Sequence, residues 1–163
     1  GDFSRKASPH RSTLNINNLI IDSLDLLRFE ARRHEVRMGI QLAPPAPLVL
    51  GDRVQIQQVV VNLIRNAFDA LDYVEPGLRR VAITVETSGT RVIVHVEDVG
   101  NGLTAEEHAM LFEPFFTTKG HGMGMGLAIS RSIIESHQGR LWATRNSEAG
   151  ATFHFELPRC ADA

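Results

Sequence analysis

Four runs of two-residue hydrophobic period, arranged as two tight pairs, constrain this chain more than any other feature. VAITVET and RVIVHVED flank a Ser88-Gly89 turn, and GRLWATRN and GATFHFELP close the chain across a second short turn. Such alternation of β-branched and polar residues marks strands with one buried face, and turns this short join them antiparallel. The strands are interleaved with helical patterns. Leu19, Ile20, Leu24, Leu27 and Ala31 recur at helical spacing from Ile16 onward. A second helix, capped by Asp52, buries Ile56, Val59, Val60, Leu63, Ala67, Phe68 and Leu71, and Glu75 to Gly77 stop it. A short helix spans Glu106 to Leu111, and a third long one starts near Met123 and carries LAISRSIIESH. RMGIQLA and LVL, on either side of Pro44 to Pro47, read as short strands or extended connections. Amphipathic helices laid over one face of hairpin-built strands predict an α/β (α+β) two-layer sandwich with a mixed, mostly antiparallel sheet.

Composition narrows the function classes. The chain has 163 residues, 43% of them hydrophobic, enough for one core-bearing domain over residues 14–158. Residues 1–13 read as a polar remnant of an upstream helical linker, and 159–163 as a tail. A net charge of −2 gives no basic excess for nucleic acid. No apolar run is long enough to span a bilayer and no signal-peptide pattern opens the chain, which predicts a cytoplasmic domain. The lone Cys160 rules out a disulfide framework within the chain. The seven histidines show no metal-ligand spacing along the chain, so no zinc site is expected.

Four segments carry chemistry. Gly120, Gly122, Gly124 and Gly126 alternate directly into a helix start. Glycine lets the backbone turn its N–H groups toward phosphate, and the helix N-terminus adds free donors. Gln58, Asn62 and Asn66 recur at i, i+4 and i+8 within an otherwise apolar helix. They form either a solvated or core amide stripe, or a set of amides meeting Mg²⁺ and phosphate oxygens. Arg65 and Asp69 stand beside them as an i, i+4 pair whose plain reading is a surface ion pair. Asp98-Val99-Gly100-Asn101-Gly102 ends a strand, and is either an Asp-led turn or a carboxylate suited to the amino group of adenine. Phe112 to Lys119 precede the glycines as a mobile lid or as a hydrophobic pin, with Lys119 able to reach a terminal phosphate. Gly150-Ala151-Thr152 opens the last strand, where Thr152 faces either a turn or a bound base.

Taken in order, NLIRNAFDA, EDVGNG, LFEPFFTTK with GHGMGMGLAIS, and GATFHFELP resemble the N, G1, F, G2 and G3 boxes of the sensor histidine kinase catalytic and ATP-binding domain. That family belongs to the gyrase, Hsp90, histidine kinase and MutL superfamily with the Bergerat fold. FFTTK and GMGMGLAIS look most like the nitrogen- and oxygen-sensor subgroup. The resemblance implies ATP and Mg²⁺ as cofactors, with Asn66 as metal ligand and Asn62 and Lys119 as catalytic contacts to phosphate. It implies nucleotide binding by Asn62, Arg65, Asn66, Asp69, Asp98, Gly100, Gly102, Lys119, Gly122, Gly124, Met125, Gly126, Leu127 and Thr152. Many members carry a basic residue at the position of Asp69, a departure for which Arg65 or Lys119 would compensate.

The gyrase, Hsp90 and MutL branches place a Glu where Asn62 stands, and an amide has no useful basicity near neutral pH. Transfer of the γ-phosphate is therefore expected over hydrolysis. Neither His10 nor His34 matches the family's acceptor motif, so the implied partners are an upstream dimerisation and histidine-phosphotransfer domain and, indirectly, a response-regulator receiver domain. Alone the chain is expected to be monomeric. A clamp-like ATPase, a binding module without catalysis and a serine kinase are the competing readings.

Overall fold

The computed structural model describes residues 10–114, 116 and 125–160. Strand β1 (Arg11–Asn15) leads into α1 (Ile16–Leu26) and α2 (Arg28–Arg33). β2 (Arg37–Gln41) and β3 (Leu48–Asp52) follow, then α3 (Arg53–Ala70). The chain continues with β4 (Arg80–Ser88), β5 (Arg91–Asp98), α4 (Ala105–Met110), α5 (Gly126–Ser136), β6 (Arg140–Arg145) and β7 (Ala151–Pro158).

The main sheet has the order β2-β4-β5-β7-β6, with β2 parallel to β4 and every other pair antiparallel. Period-two alternation sends Val81, Ile83, Val85, Val92, Val94, Val96, Leu141, Ala143, Phe153, Phe155 and Leu157 to one face, where all are buried. That face meets α3, whose Ile56, Val59, Val60, Leu63, Ile64, Ala67 and Phe68 are also buried, and α5 through Ile133 and Ile134. The other face carries the intervening, mostly polar residues and stays partly open to solvent. The expected two-layer sandwich is therefore the observed one.

Two boundaries differ from expectation. The start through Thr13 reads from the sequence as a polar linker remnant outside the domain, yet Arg11 to Asn15 pair antiparallel with β3, Arg11 opposite Asp52 and Asn15 opposite Leu48. Leu14 is buried there, and one apolar side chain with a ladder of backbone bonds suffices to order a polar strand. The first helix breaks at Leu27, which caps α1, and resumes as α2. Asn15 caps α1 by accepting from the Asn18 N–H at 3.0 Å, and Asp52 caps α3 by accepting from the Gln55 N–H at 3.1 Å.

His137, at the end of α5, ties the two long helices together. Its Nε2 accepts from the Asp52 N–H at 3.0 Å, while Nδ1–H donates to the Ile133 carbonyl at 2.8 Å. The ring is 2% exposed, and burial holds its pKa below the ordinary histidine value. A neutral imidazole is what this geometry requires, because a protonated Nε2 accepts nothing.

Candidate functional site

The helix α3 sets the axis of the site. Asn62, Asn66 and Ala70 succeed one another at intervals of four residues and so form one row along its surface. Each end of the row meets a glycine from another element. A Cβ added at Gly126, the first residue of α5, would touch the Asn62 amide nitrogen at 4.0 Å. A side chain at Gly100 would run into the Ala70 carbonyl and Cβ. Between these two contacts lies Asn66, half-buried, its side chain without a hydrogen bond among the described residues. Asn62 donates from Nδ2 to the Oγ of buried Ser130 on α5 at 3.3 Å, which fixes its amide against the start of that helix. Gln58, which heads the same stripe, is exposed and lies beyond these contacts.

Asp98 ends β5 on its buried face and is only 2% exposed. Its Oδ1 accepts from the Gly100 N–H at 2.8 Å and the Ala151 N–H at 3.4 Å. Burial pushes its carboxyl above the ordinary carboxylate pKa, against the pull of these two donors, with Glu97 adding to the upward shift. The turn around it depends on glycine. Gly102 and Gly150 have φ of +75° and +83°, and a side chain at Gly150 would overlap the Asp98 carbonyl.

Asn146, which sequence reasoning missed, joins these turns. It donates from Nδ2 to the carbonyls of Asp98 at 3.1 Å and Ala149 at 3.0 Å, and its Oδ1 accepts from the Thr152 hydroxyl at 2.7 Å. Its only signal in the sequence was a polar residue before a turn. A cavity of about 360 Å³ lined by Asn101, Gly102, Leu103, Arg145, Asn146 and their neighbours adjoins this network, apart from the amide row.

Two expected contacts are corrected. Thr152 reads from the sequence as facing either a turn or a bound base, and the structure pairs it with exposed Glu97, so that alternation puts it on the sheet face opposite Asp98. Its hydroxyl serves Asn146, and it is the backbone of Ala151 that reaches Asp98. Arg65 was paired with Asp69, yet its guanidinium grips Glu30 of α2, with Nε at 3.1–3.2 Å from both carboxylate oxygens and Nη2 at 2.7 Å from Oε1. The two groups shift each other's pKa in the stabilising sense, Glu30 down and Arg65 up. Packing of α2 beside α3 presents a carboxylate that a helix-spacing argument does not contain.

Asp69 is half-buried on α3. Lys119, Gly122 and Gly124 lie outside the described residues. Met125 caps α5, Gly126 opens it, and Leu127 packs against the core. The base of the preceding segment is anchored. Thr104 and Glu107 form a capping box on α4, His108 Nε2–H donates to the Ala143 carbonyl at 2.7 Å, and Arg131 of α5 lies over the Phe112 ring at 5.4 Å. His34 stacks on Phe68 with centroids 5.6 Å apart, in the role of a packed α2 cap.

The amide row fits a hard cation. Asn66 offers a neutral oxygen, and Mg²⁺ keeps most of its shell as water and substrate oxygens, so one such ligand suffices. Among the described residues no cluster of three or more His, Cys, Asp and Glu could hold a metal by itself. No helix among them is long and apolar enough to cross a membrane.

Comparison with known proteins agrees with this fold. Residues 51–161 match the family model described as histidine kinase-, DNA gyrase B-, and HSP90-like ATPase. Sensor protein TdiS of Thauera aromatica is 42% identical over 96% of this chain, and sensor protein FixL of Bradyrhizobium diazoefficiens 43% identical over 96%. The chain spans 29% and 31% of those two proteins. The catalytic domain of histidine kinase ThkA superposes with a TM-score of 0.81 at 34% identity, covering 91% of this chain and 95% of that one. ThkA in complex with the response regulator protein TrrA gives a TM-score of 0.79 at 33% identity, over 92% of this chain and 42% of that one.

Proposed function

The chain belongs to the histidine kinase-, DNA gyrase B- and HSP90-like ATPase family, and from that premise we propose that it is the ATP-binding catalytic domain of a sensor histidine kinase. It presents Mg-ATP to a histidine on a dimerisation and phosphotransfer domain, on the cytoplasmic side, and the phosphoryl group passes on to a response-regulator receiver. The observation that carries this reading is the amide row: Asn66, its side chain without a hydrogen bond among the described residues, between Gly126 at Asn62 and Gly100 at Ala70, with a buried carboxylate behind Gly100.

Each residue then has a task its chemistry suits. Asp98 accepts from the adenine amino group and repels the oxygen that guanine carries there. Gly100 and Gly102 let the purine approach the backbone. Asn62, held on Ser130, contacts phosphate, and Asn66 lends an oxygen to Mg²⁺, which when bound neutralises charge on the phosphates. Lys119, Gly122 and Gly124 complete the phosphate wrap together with Met125, Gly126 and Leu127. No carboxylate occupies the Asn62 position, so water there has no general base, and the γ-phosphate is kept for transfer.

The test is labelling with γ-³²P ATP of this chain alone, and of this chain mixed with the histidine-bearing domain of its own protein. Label is expected on the partner only, and is expected to vanish with Asn66→Ala. Stoichiometric label on this chain, or phosphate release with no labelled partner, would replace the proposal with a self-modifying enzyme or a clamp-like ATPase.

A further inference from the structure

The solvent-side face of the main sheet holds two histidines that the chain separates widely. His95 on β5 and His154 on β7 are direct cross-strand partners, with their Nδ1 atoms 2.6 Å apart and their rings edge-on at 85°. Each outer nitrogen is held by another strand. His95 Nε2 lies 3.2 Å from Oε1 of Glu86 on β4, and His154 Nε2 lies 2.8 Å from Oγ1 of Thr144 on β6.

Hydrogen-bond accounting restricts what can sit between the rings. A carboxylate only accepts, so His95 carries its proton on Nε2, and in the neutral ring its Nδ1 is a lone pair aimed at His154. A proton on His154 Nδ1 closes that gap if the Thr144 hydroxyl donates to His154 Nε2. A metal ion closes it once the rings part, if that hydroxyl turns to accept from Nε2–H. The hydroxyl serves both states, so metal entry moves one proton between the two nitrogens of His154 and leaves the Glu86–His95 contact as it is.

We propose that His95 and His154 chelate a divalent late transition-metal ion of the imidazole-preferring class, nickel, copper or zinc, through both Nδ1 atoms, with water in the remaining positions. Acceptors on the far nitrogens are what metal-bound imidazoles ordinarily carry, because they orient the ring and raise its basicity. At a metal–nitrogen distance of about 2.0–2.1 Å, tetrahedral ligation asks for nitrogens roughly 3.3 Å apart, so the rings part by less than ~1 Å. With its proton on Nε2, facing the Thr144 hydroxyl, a neutral His154 ring presents the Nδ1 lone pair for ligation. Arg140 opposes a cation, but its guanidinium is stacked over Trp142 at 4.1 Å, and Glu86 supplies the opposite charge. Two protein ligands make a weaker site than the four of a structural zinc centre.

The single tryptophan reports on this site, because the Trp142 ring stacks on His154 with centroids 4.9 Å apart. Tag-free chain titrated with NiCl₂ at pH 7.5 is expected to show saturable, one-equivalent quenching of Trp142, reversed by EDTA and displaced by ZnCl₂. His95→Gln and His154→Gln should each weaken the apparent affinity at least tenfold, and His34→Gln should not. Circular dichroism and ATP affinity confirm that each variant is folded. Quenching with the same midpoint in all variants, or no saturable quenching at all, overturns the proposal and leaves a proton as the only bridge between the rings.

Discussion

Asp98→Asn should separate ligand recognition from stability, and in opposite directions. The side chain is 2% exposed, and Asn preserves its shape and the Oδ1 that accepts from Gly100 and Ala151. The wild-type carboxyl has a pKa raised chiefly by burial, so its contribution favours folding at pH below the ordinary carboxylate value. That contribution is lost as pH rises through the raised value, and at neutral pH the ionised group works against the empty fold. A neutral amide carries no such penalty. The variant should therefore melt at the same temperature as the parent or higher at pH 7 to 8, and the difference should close as pH falls below about 4. Binding moves the other way. A hydrogen bond to a charged acceptor contributes about 1.5–3 kcal/mol, so loss of the adenine contact should weaken ATP roughly 10- to 150-fold. GTP should lose nothing or gain, because the new amide donor can meet its carbonyl. Calorimetric titration with ATP and GTP, paired with thermal melts across pH, measures both effects. An unchanged ATP-to-GTP ratio together with a lowered melting temperature would refute the reasoning, since the carboxylate would then be a structural acceptor and nothing more.

The other predictions concern the frame around that site. Gly100→Ala places a Cβ against the Ala70 carbonyl, so the turn must shift, with an expected cost of about 1–3 kcal/mol in urea melts and a larger loss of ATP affinity than of stability. His137→Ala leaves the Asp52 N–H without its acceptor and opens a cavity, together about 2–4 kcal/mol by the same assay. The His137 pKa is lowered, so its contribution is present above the ordinary histidine pKa and fades as pH falls through the lowered one; stability measured from pH 7.5 down to 5 should fall less steeply in His137→Gln than in the parent. Glu30→Gln breaks the bidentate contact to Arg65, whose side chain is 54% exposed, so the cost in melts should stay under about 1 kcal/mol and shrink with added salt.

Much of the architecture was legible because its causes are local. Alternation in VAITVET and RVIVHVED gave the β4–β5 pair with Ser88-Gly89 at its turn, and Asp52 was readable as a cap because a short acceptor before an apolar periodic run has few other uses. Strand β1 was not legible: four of its five residues are polar, and its order comes from pairing with β3 more than thirty residues away. The site divides in the same way. Asn62 and Asn66 share a row by helical geometry alone, whereas Ser130, Asn146 and Glu30 enter through contacts between distant elements.

What the amino-acid order determined by itself was therefore the set of elements, the face each one buries, and the residue types able to meet a nucleotide. Periodicity and capping act over a few neighbouring residues, and their energies do not depend on where the rest of the chain lies. Only the tertiary structure decided which groups confront one another: Thr152 turned away from Asp98, Arg65 given to Glu30, His95 set against His154. Sheet register and helix packing make those choices, because sliding a strand by one residue exchanges its two faces, and the burial of a whole core outweighs any single polar pairing.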